Sequence, residues 1–225
     1  MLSKHESKDR RSVDNGARFK NGKDRPQPRM KIGLIADSHV PFGRERPPGY
    51  DGPFWSIELP PQVARAFAGV DLILHAGDIF AAKCLDELEH IAPVMAVEYP
   101  PSELFSDPRV VALRRVIELE GFSIGLAHEL LIPDTGWEVM PGAIGARYPR
   151  ERLLSSILAG VFGTPVDIVV FGDTHHAMVE EHHGMLFVNP GSPTLPKQLV
   201  KLGTVGILEL TPAGREARIL DLADF

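Results

Sequence analysis

The sequence predicts an α/β fold of two mixed β-sheets sandwiched between helices. Three observations predict it. From Met30 onward, short apolar runs alternate with stretches of helical spacing, as strands joined by crossover helices do. The second half replaces those helices with hairpins. Four short polar signatures each follow directly on an apolar run, at the places where strands would end.

Residues 31–36 read as an apolar strand ending at Asp37, and residues 60–68 as a helix. Residues 70–75 form a second buried strand. In residues 81–90, Ala82, Leu85, Leu88 and Glu89 recur at roughly helical spacing. Residues 94–97 are a third strand. Right-handed crossovers in this order build a sheet whose ligands gather at the carboxyl ends of strands. Asp37, Asp78 and the segment after Val97 fall there. Residues 116–120 and 123–126 read as a hairpin turning at Gly121-Phe122. A helix is expected over 149–160 and a buried strand over 167–171, ending at Gly172-Asp173. Strands at 178–181, 185–188, 205–210 and 217–222 are expected to complete the second sheet. No internal repeat is visible.

Bulk properties fit a single folded unit. The chain has 225 residues, 44% of them hydrophobic, enough for a substantial core. One cysteine, Cys84, excludes an intramolecular disulfide framework. No apolar run approaches a membrane span, and the N-terminal residues are polar rather than signal-like. The expected location is cytoplasmic. Residues 1–29 hold nine Lys or Arg against four Asp or Glu, a balance of +5, so the rest carries −11 of the total −6. The expected division is a disordered basic tail over 1–29 and a folded domain over 30–225. An acidic body argues against broad nucleic-acid binding.

The signatures are Asp37-Ser38-His39, His75-Ala76-Gly77-Asp78, His128-Glu129 and Gly172-Asp173-Thr174-His175-His176. Carboxylates and imidazoles at the mouths of parallel strands suit one or two divalent transition metals, Mn, Ni, Zn or Fe. Each residue also has a plainer reading. Asp37 alone could cap a helix or turn. His75, two residues before Gly77, reads as a buried, hydrogen-bonded histidine. His176 adjoins a candidate ligand and could face solvent or substrate. His182 and His183 flank Gly184 in an expected hairpin and read as exposed turn residues.

The order and spacing of these motifs, closed by Asn189-Pro190-Gly191-Ser192, resemble the calcineurin-like metallophosphoesterases, in particular their small bacterial and archaeal phosphodiesterase branch. The resemblance spans about residues 30–222. It implies that Asp37, His39 and His175 bind one metal, that Asp78 bridges two, and that His128 binds the second. It implies a hydroxide between the metals attacking phosphorus in line. The catalytic candidates are Asp78 and His128, with His176 added because it adjoins a ligand. The expected partner is a small phosphoester substrate.

Two departures stand out. The family's Gly-Asn after the third strand, whose Asn ligates the second metal, is replaced here by Glu98-Tyr99-Pro100-Pro101-Ser102-Glu103. Glu98 or Glu103 would have to reach in from a shifted loop. Asp173 stands where a second-metal histidine is expected, which favours harder ions such as Mn. The leading expectation is a metal-dependent phosphodiesterase with an altered second site. The alternative is a catalytically degenerate scaffold on the same fold, similar to the retromer subunit of this architecture. Two long loops flank the expected site. Residues 41–61 carry Arg44, Arg46, Tyr50, Phe54 and Trp55, candidates for phosphate and ring contacts. Residues 132–149 carry Trp137 and Arg147, a candidate opposite wall or homo-oligomer contact.

Overall fold

In the computed structural model, residues 29–40, 58–133, 138–148 and 151–225 are described, without the side chains of 151–153. The expected tail and the loop aromatics and arginines of 41–57 lie outside those residues, as does Trp137.

The first sheet is built around β1 (Met30–Ile35), β2 (Leu72–His75) and β3 (Val94–Glu98), all parallel, with β4 (Val110–Ala112) beyond β3. The crossovers carry α1 (Pro61–Ala66) and α2 (Ala82–Glu89). The second sheet runs β5 (Arg114–Leu119), β6 (Phe122–Ala127), β7 (Ile168–Val170), β9 (Met185–Asn189) and β8 (Met178–His182). Its β6, β7 and β9 are parallel. The helices α3 (Ala143–Arg147) and α4 (Glu151–Phe162) lie between β6 and β7 in sequence.

The alternation within each strand sorts side chains into three cores. Ile32 and Leu34 of β1, with Leu72 and Leu74 of β2, face Ile124, Leu126, Ile168 and Val170 of the other sheet. Ile35 and Ile73 point the opposite way, onto Val63, Phe67, Leu85 and Leu88 of the α1–α2 layer. Val169 and Phe187 pack on Ile144, Leu154 and Leu158 of the α3–α4 layer. The order is therefore helices, sheet, sheet, helices. Fully buried residues such as Phe67, Leu85 and Leu88 each contribute about 1.5–3 kcal/mol.

One expected assignment is corrected. The final hairpin, β10 (Thr204–Thr211) and β11 (Gly214–Asp221), does not complete the second sheet. It extends the first, with β10 antiparallel to β1 and Ile32 opposite Leu208. Strand periodicity gives the buried face of a strand, not which of two facing sheets it joins. The short β4 and the helix α3, inside the long 132–149 loop, were also not expected. The β5–β6 turn falls one residue earlier than expected. Glu120 (φ 49°) and Gly121 (φ 83°) make the turn, and Phe122 already pairs with Leu119. Among the described residues, no helix is long and apolar enough to cross a membrane.

Candidate metal centre

Every expected ligand lies just past the carboxyl end of a parallel strand. Asp37 and His39 follow β1, Asp78 follows β2, His128 follows β6, and Asp173 and His175 follow β7. The centre thus takes groups from both sheets. Five of these six residues have left-handed backbones: Asp37 (φ 51°), His39 (48°), Asp78 (55°), Asp173 (71°) and His175 (56°). Such conformations are uncommon outside glycine and concentrate at functional sites.

Asp37, His39, Asp78 and His175 bring one ligand atom each within 4.8 Å of one another. The His39 and His175 Nε2 atoms are 3.1 Å apart. Two nitrogen ligands on one tetrahedral ion, each about 2.0–2.1 Å from it, stand about 3.3 Å apart. His175 Nδ1 donates to the Leu195 carbonyl at 2.8 Å, which leaves its Nε2 lone pair facing the cluster. His128 does the same: Nδ1 donates to the Ala76 carbonyl at 2.8 Å and Nε2 faces Asp78 Oδ1 at 3.6 Å. The other oxygen of that carboxylate, Oδ2, lies 3.3 Å from His39 Nε2. Asp78 therefore shows one oxygen to each side of the centre.

The Asp37 carboxylate is fully buried. Its Oδ1 accepts the Asp173 N–H at 3.0 Å, while Oδ2 has no hydrogen-bond partner. A buried carboxylate oxygen without a donor costs about 1–3 kcal/mol or more. A cation beside it would remove that cost, so the donor set fits a divalent metal. Burial raises the Asp37 carboxyl to about 8, despite the opposing pull of His128. Burial pushes His39 down to about 4 and lowers His175, so both imidazoles are neutral. At His128 burial works downward too, but Asp37 and Asp78 outweigh it and the net shift is upward. Asp173 is raised by burial; His128, Glu129, Glu138 and Asp78 are its electrostatic neighbours. It stands outside the tight group of four.

Asp37 holds its proton up to about 8 without metal, and a ligand must release it. Apparent metal affinity should therefore rise by up to about tenfold per pH unit toward that value and then flatten. Competition with a chromophoric chelator between about pH 6 and about pH 9 measures it. A flat profile would remove Asp37 from the ligand set.

Two glycines make room for the centre. A Cβ on Gly77 (φ 93°) would stand 2.6 Å from the His128 ring, and one on Gly172 would stand 3.0 Å from Asp37 Oδ2. The support below is polar. Ser192 Oγ donates to the Asp37 carbonyl at 2.7 Å, and Thr194 Oγ1 to the Ser38 carbonyl at 2.9 Å. Asn189 Nδ2 donates to the Gly172 carbonyl and to Thr174 Oγ1. The Asn-Pro-Gly-Ser segment thus braces the first and fourth signatures. His75 is buried; its Nδ1 accepts the Gly77 N–H, so its Nε2 donates to Ser38 Oγ at 3.0 Å. Burial holds it neutral, with a pKa of about 3.

The remaining candidates fall elsewhere. Glu98 is turned to the backbone: its carboxylate accepts the N–H groups of Ile79 (3.0 Å), Tyr99 (2.9 Å) and Asp78 (3.4 Å). It holds the Asp78 loop instead of joining the cluster. Sequence reasoning missed this role, because nothing in spacing distinguishes a ligand from a carboxylate that caps a loop. Glu103 opens a short 3₁₀ helix and is exposed. His176 is half-buried beside His175, its N–H bonded to Thr174 Oγ1. His182 and His183 are half-buried, not exposed, because both rings donate to the Tyr148 carbonyl.

The fold and this centre define a layered α/β protein with a metal-competent set of carboxylates and imidazoles at its strand ends. The chain belongs to the calcineurin-like phosphoesterase superfamily, whose domain profile matches residues 30–212. It is 33% identical over 170 residues to a probable metallophosphoesterase of Methanothermobacter thermautotrophicus, covering 75% of this chain and 80% of that one. Among solved structures it resembles vacuolar protein sorting 29 of Cryptosporidium parvum, at 19% identity and TM-score 0.56, over 85% of this chain and 97% of that one. It also resembles an archaeal phosphodiesterase, at 18% identity and TM-score 0.53, over 85% of this chain and all of that one (100%).

Proposed function

We propose that this protein is a metal-dependent phosphodiesterase acting on small organic phosphodiesters. Asp37, His39, Asp78 and His175 would hold one divalent ion; Asp78, His128 and Asp173 would hold a second, more weakly. The observation that carries this reading is the Asp78 carboxylate, with one oxygen toward His39 at 3.3 Å and the other toward His128 at 3.6 Å. When bound, divalent metal supplies Lewis acidity, which acidifies water and withdraws charge from phosphoryl oxygens.

The chain's own groups do the rest. Carbonyl anchors at His128 and His175 and burial at His39 hold the three Nε2 atoms where they would bind the ions. Asp173 adds negative charge on the His128 side, which favours a hard ion such as Mn and disfavours a dianionic substrate. At close range that repulsion costs on the order of 1–4 kcal/mol. His176, next in sequence to His175, is the candidate to pass a proton to a leaving group. Alkyl leaving groups need such an acid far more than aryl ones do.

The test is turnover of aryl monoesters and diesters across Mn, Ni, Zn and Mg. The expected result is diester above monoester and Mn above Mg. Monoester preference would overturn the substrate class. No turnover with any metal would favour the scaffold alternative, to which the absence of an amide after β3 points.

Asp173→His restores the residue type the family carries. It should tighten binding of the second ion and shift preference toward softer metals such as Zn. Metal titration followed by elemental analysis reads both. Unchanged stoichiometry and preference would exclude Asp173 from the site.

A further inference from the structure

We infer that the groove beginning at Phe80 is a binding subsite for a heteroaromatic ring bearing N–H or O–H donors, as in the nucleoside part of a phosphoester. The inference rests on the phosphodiesterase reading for its link to catalysis.

Phe80 is two residues past Asp78. It is 55% exposed, although it is a large apolar residue at the edge of a polar centre. Its backbone is left-handed (φ 70°), a genuine outlier for a bulky side chain. The strain is sustained by a β-bridge between Phe80 and Val40. The ring is fixed too: it meets the His39 ring edge-to-face, with centroids 4.8 Å apart and planes at 86°. A fixed, exposed aromatic face one side chain away from a metal-competent centre is a stacking platform.

From Phe80 the groove runs between the start of α2 and the 3₁₀ helix Glu103–Ser106, over Ala82, Leu104 and Pro108. These are apolar surfaces, suited to a flat ring. The polar lining side chains are Glu103, Asp107 and Ser106, whose hydroxyl donates to the Glu103 carbonyl. Glu103 is exposed and lines the groove. Asp107, by contrast, is occupied by Arg109 at 2.6 Å. Among the described residues that line the groove, none is basic. The acidic side chains of this lining disfavour an added anion and would accept from amino or hydroxyl donors. An apolar bed, an aromatic platform and an acidic rim together describe a base or nucleoside, with its phosphate at the centre.

The test is equilibrium binding of adenosine 5′-monophosphate and ribose 5-phosphate to the zinc-loaded full chain. Adenosine 5′-monophosphate should bind at least about fivefold more tightly, the lower end of what stacking one base contributes. In Phe80→Ala that preference should vanish, while ribose 5-phosphate affinity and zinc content stay unchanged. Phe80→Leu, which keeps apolar bulk without the ring, should lose the preference as well. Equal affinities in the unmodified protein would overturn the inference. So would a Phe80→Ala protein that weakens both ligands equally, since Phe80 would then act through His39. Binding is read without turnover, so failure of diester hydrolysis would count against the proposed function and leave this result standing on its own.

Discussion

Asp78→Ala should lose at least about a hundredfold in metal affinity, the largest effect expected of any single change in this chain. Groups that merely orient ligands cost about 10–100-fold when removed, and Asp78 faces both sides of the centre. Isothermal titration with Mn or Zn reads the affinity, and elemental analysis reads the content of the purified protein. The fold should survive. The Asp78 side chain is 31% exposed, so its truncation opens no cavity in the core. The metal-free variant should therefore unfold near the temperature of the unmodified apoprotein, while the rise in Tm on adding metal disappears. Full metal occupancy in Asp78→Ala would sink the assignment.

The second large effect is Gly77→Ala. The added methyl would lie 2.6 Å from Cβ, Cγ and Nδ1 of the buried His128, and Gly77 itself holds φ 93°. Overpacking and backbone strain each cost about 1–3 kcal/mol, so the variant should lose about 2–6 kcal/mol. The ring must also move off Asp78, weakening the second ion. Gly69→Ala is the control. Gly69 has φ 72° but nothing within 4 Å of its Cβ, so only the strain remains. Denaturant melts of the two variants separate the contributions. Equal losses would show that His128 yields freely and is not held by its bond to Ala76.

Much of this was legible in the sequence, for identifiable reasons. Apolar runs of about six residues ending on Asp or His mark strand mouths, so the strand ends at Asp37, Asp78, His128 and Asp173 could be read directly. The inward histidine His75 was legible because it sits inside such a run. Other features depend on contacts far apart in sequence. β10 pairs with β1 across more than half the chain, and nothing in its own residues says so. β4 is three residues long, too short for any period. Glu98 is chemically able to ligate, and only its three backbone donors show that it holds a loop. Phe80 looks like ordinary core from its sequence neighbours; its exposure and its edge contact with His39 exist only in the folded chain.

The ligands' origin in both sheets has a consequence for the protein's persistence. Asp37, His39 and Asp78 are borne by one sheet and His128, Asp173 and His175 by the other, so these groups converge only in the folded chain. An ion held by them adds stability in proportion to the logarithm of its free concentration. Below the dissociation constant that contribution vanishes, and Oδ2 of Asp37 is again left without a partner. Starved of metal, a cell would then hold more of the chain in open forms that proteases clear, so its abundance would follow metal supply with no dedicated sensor.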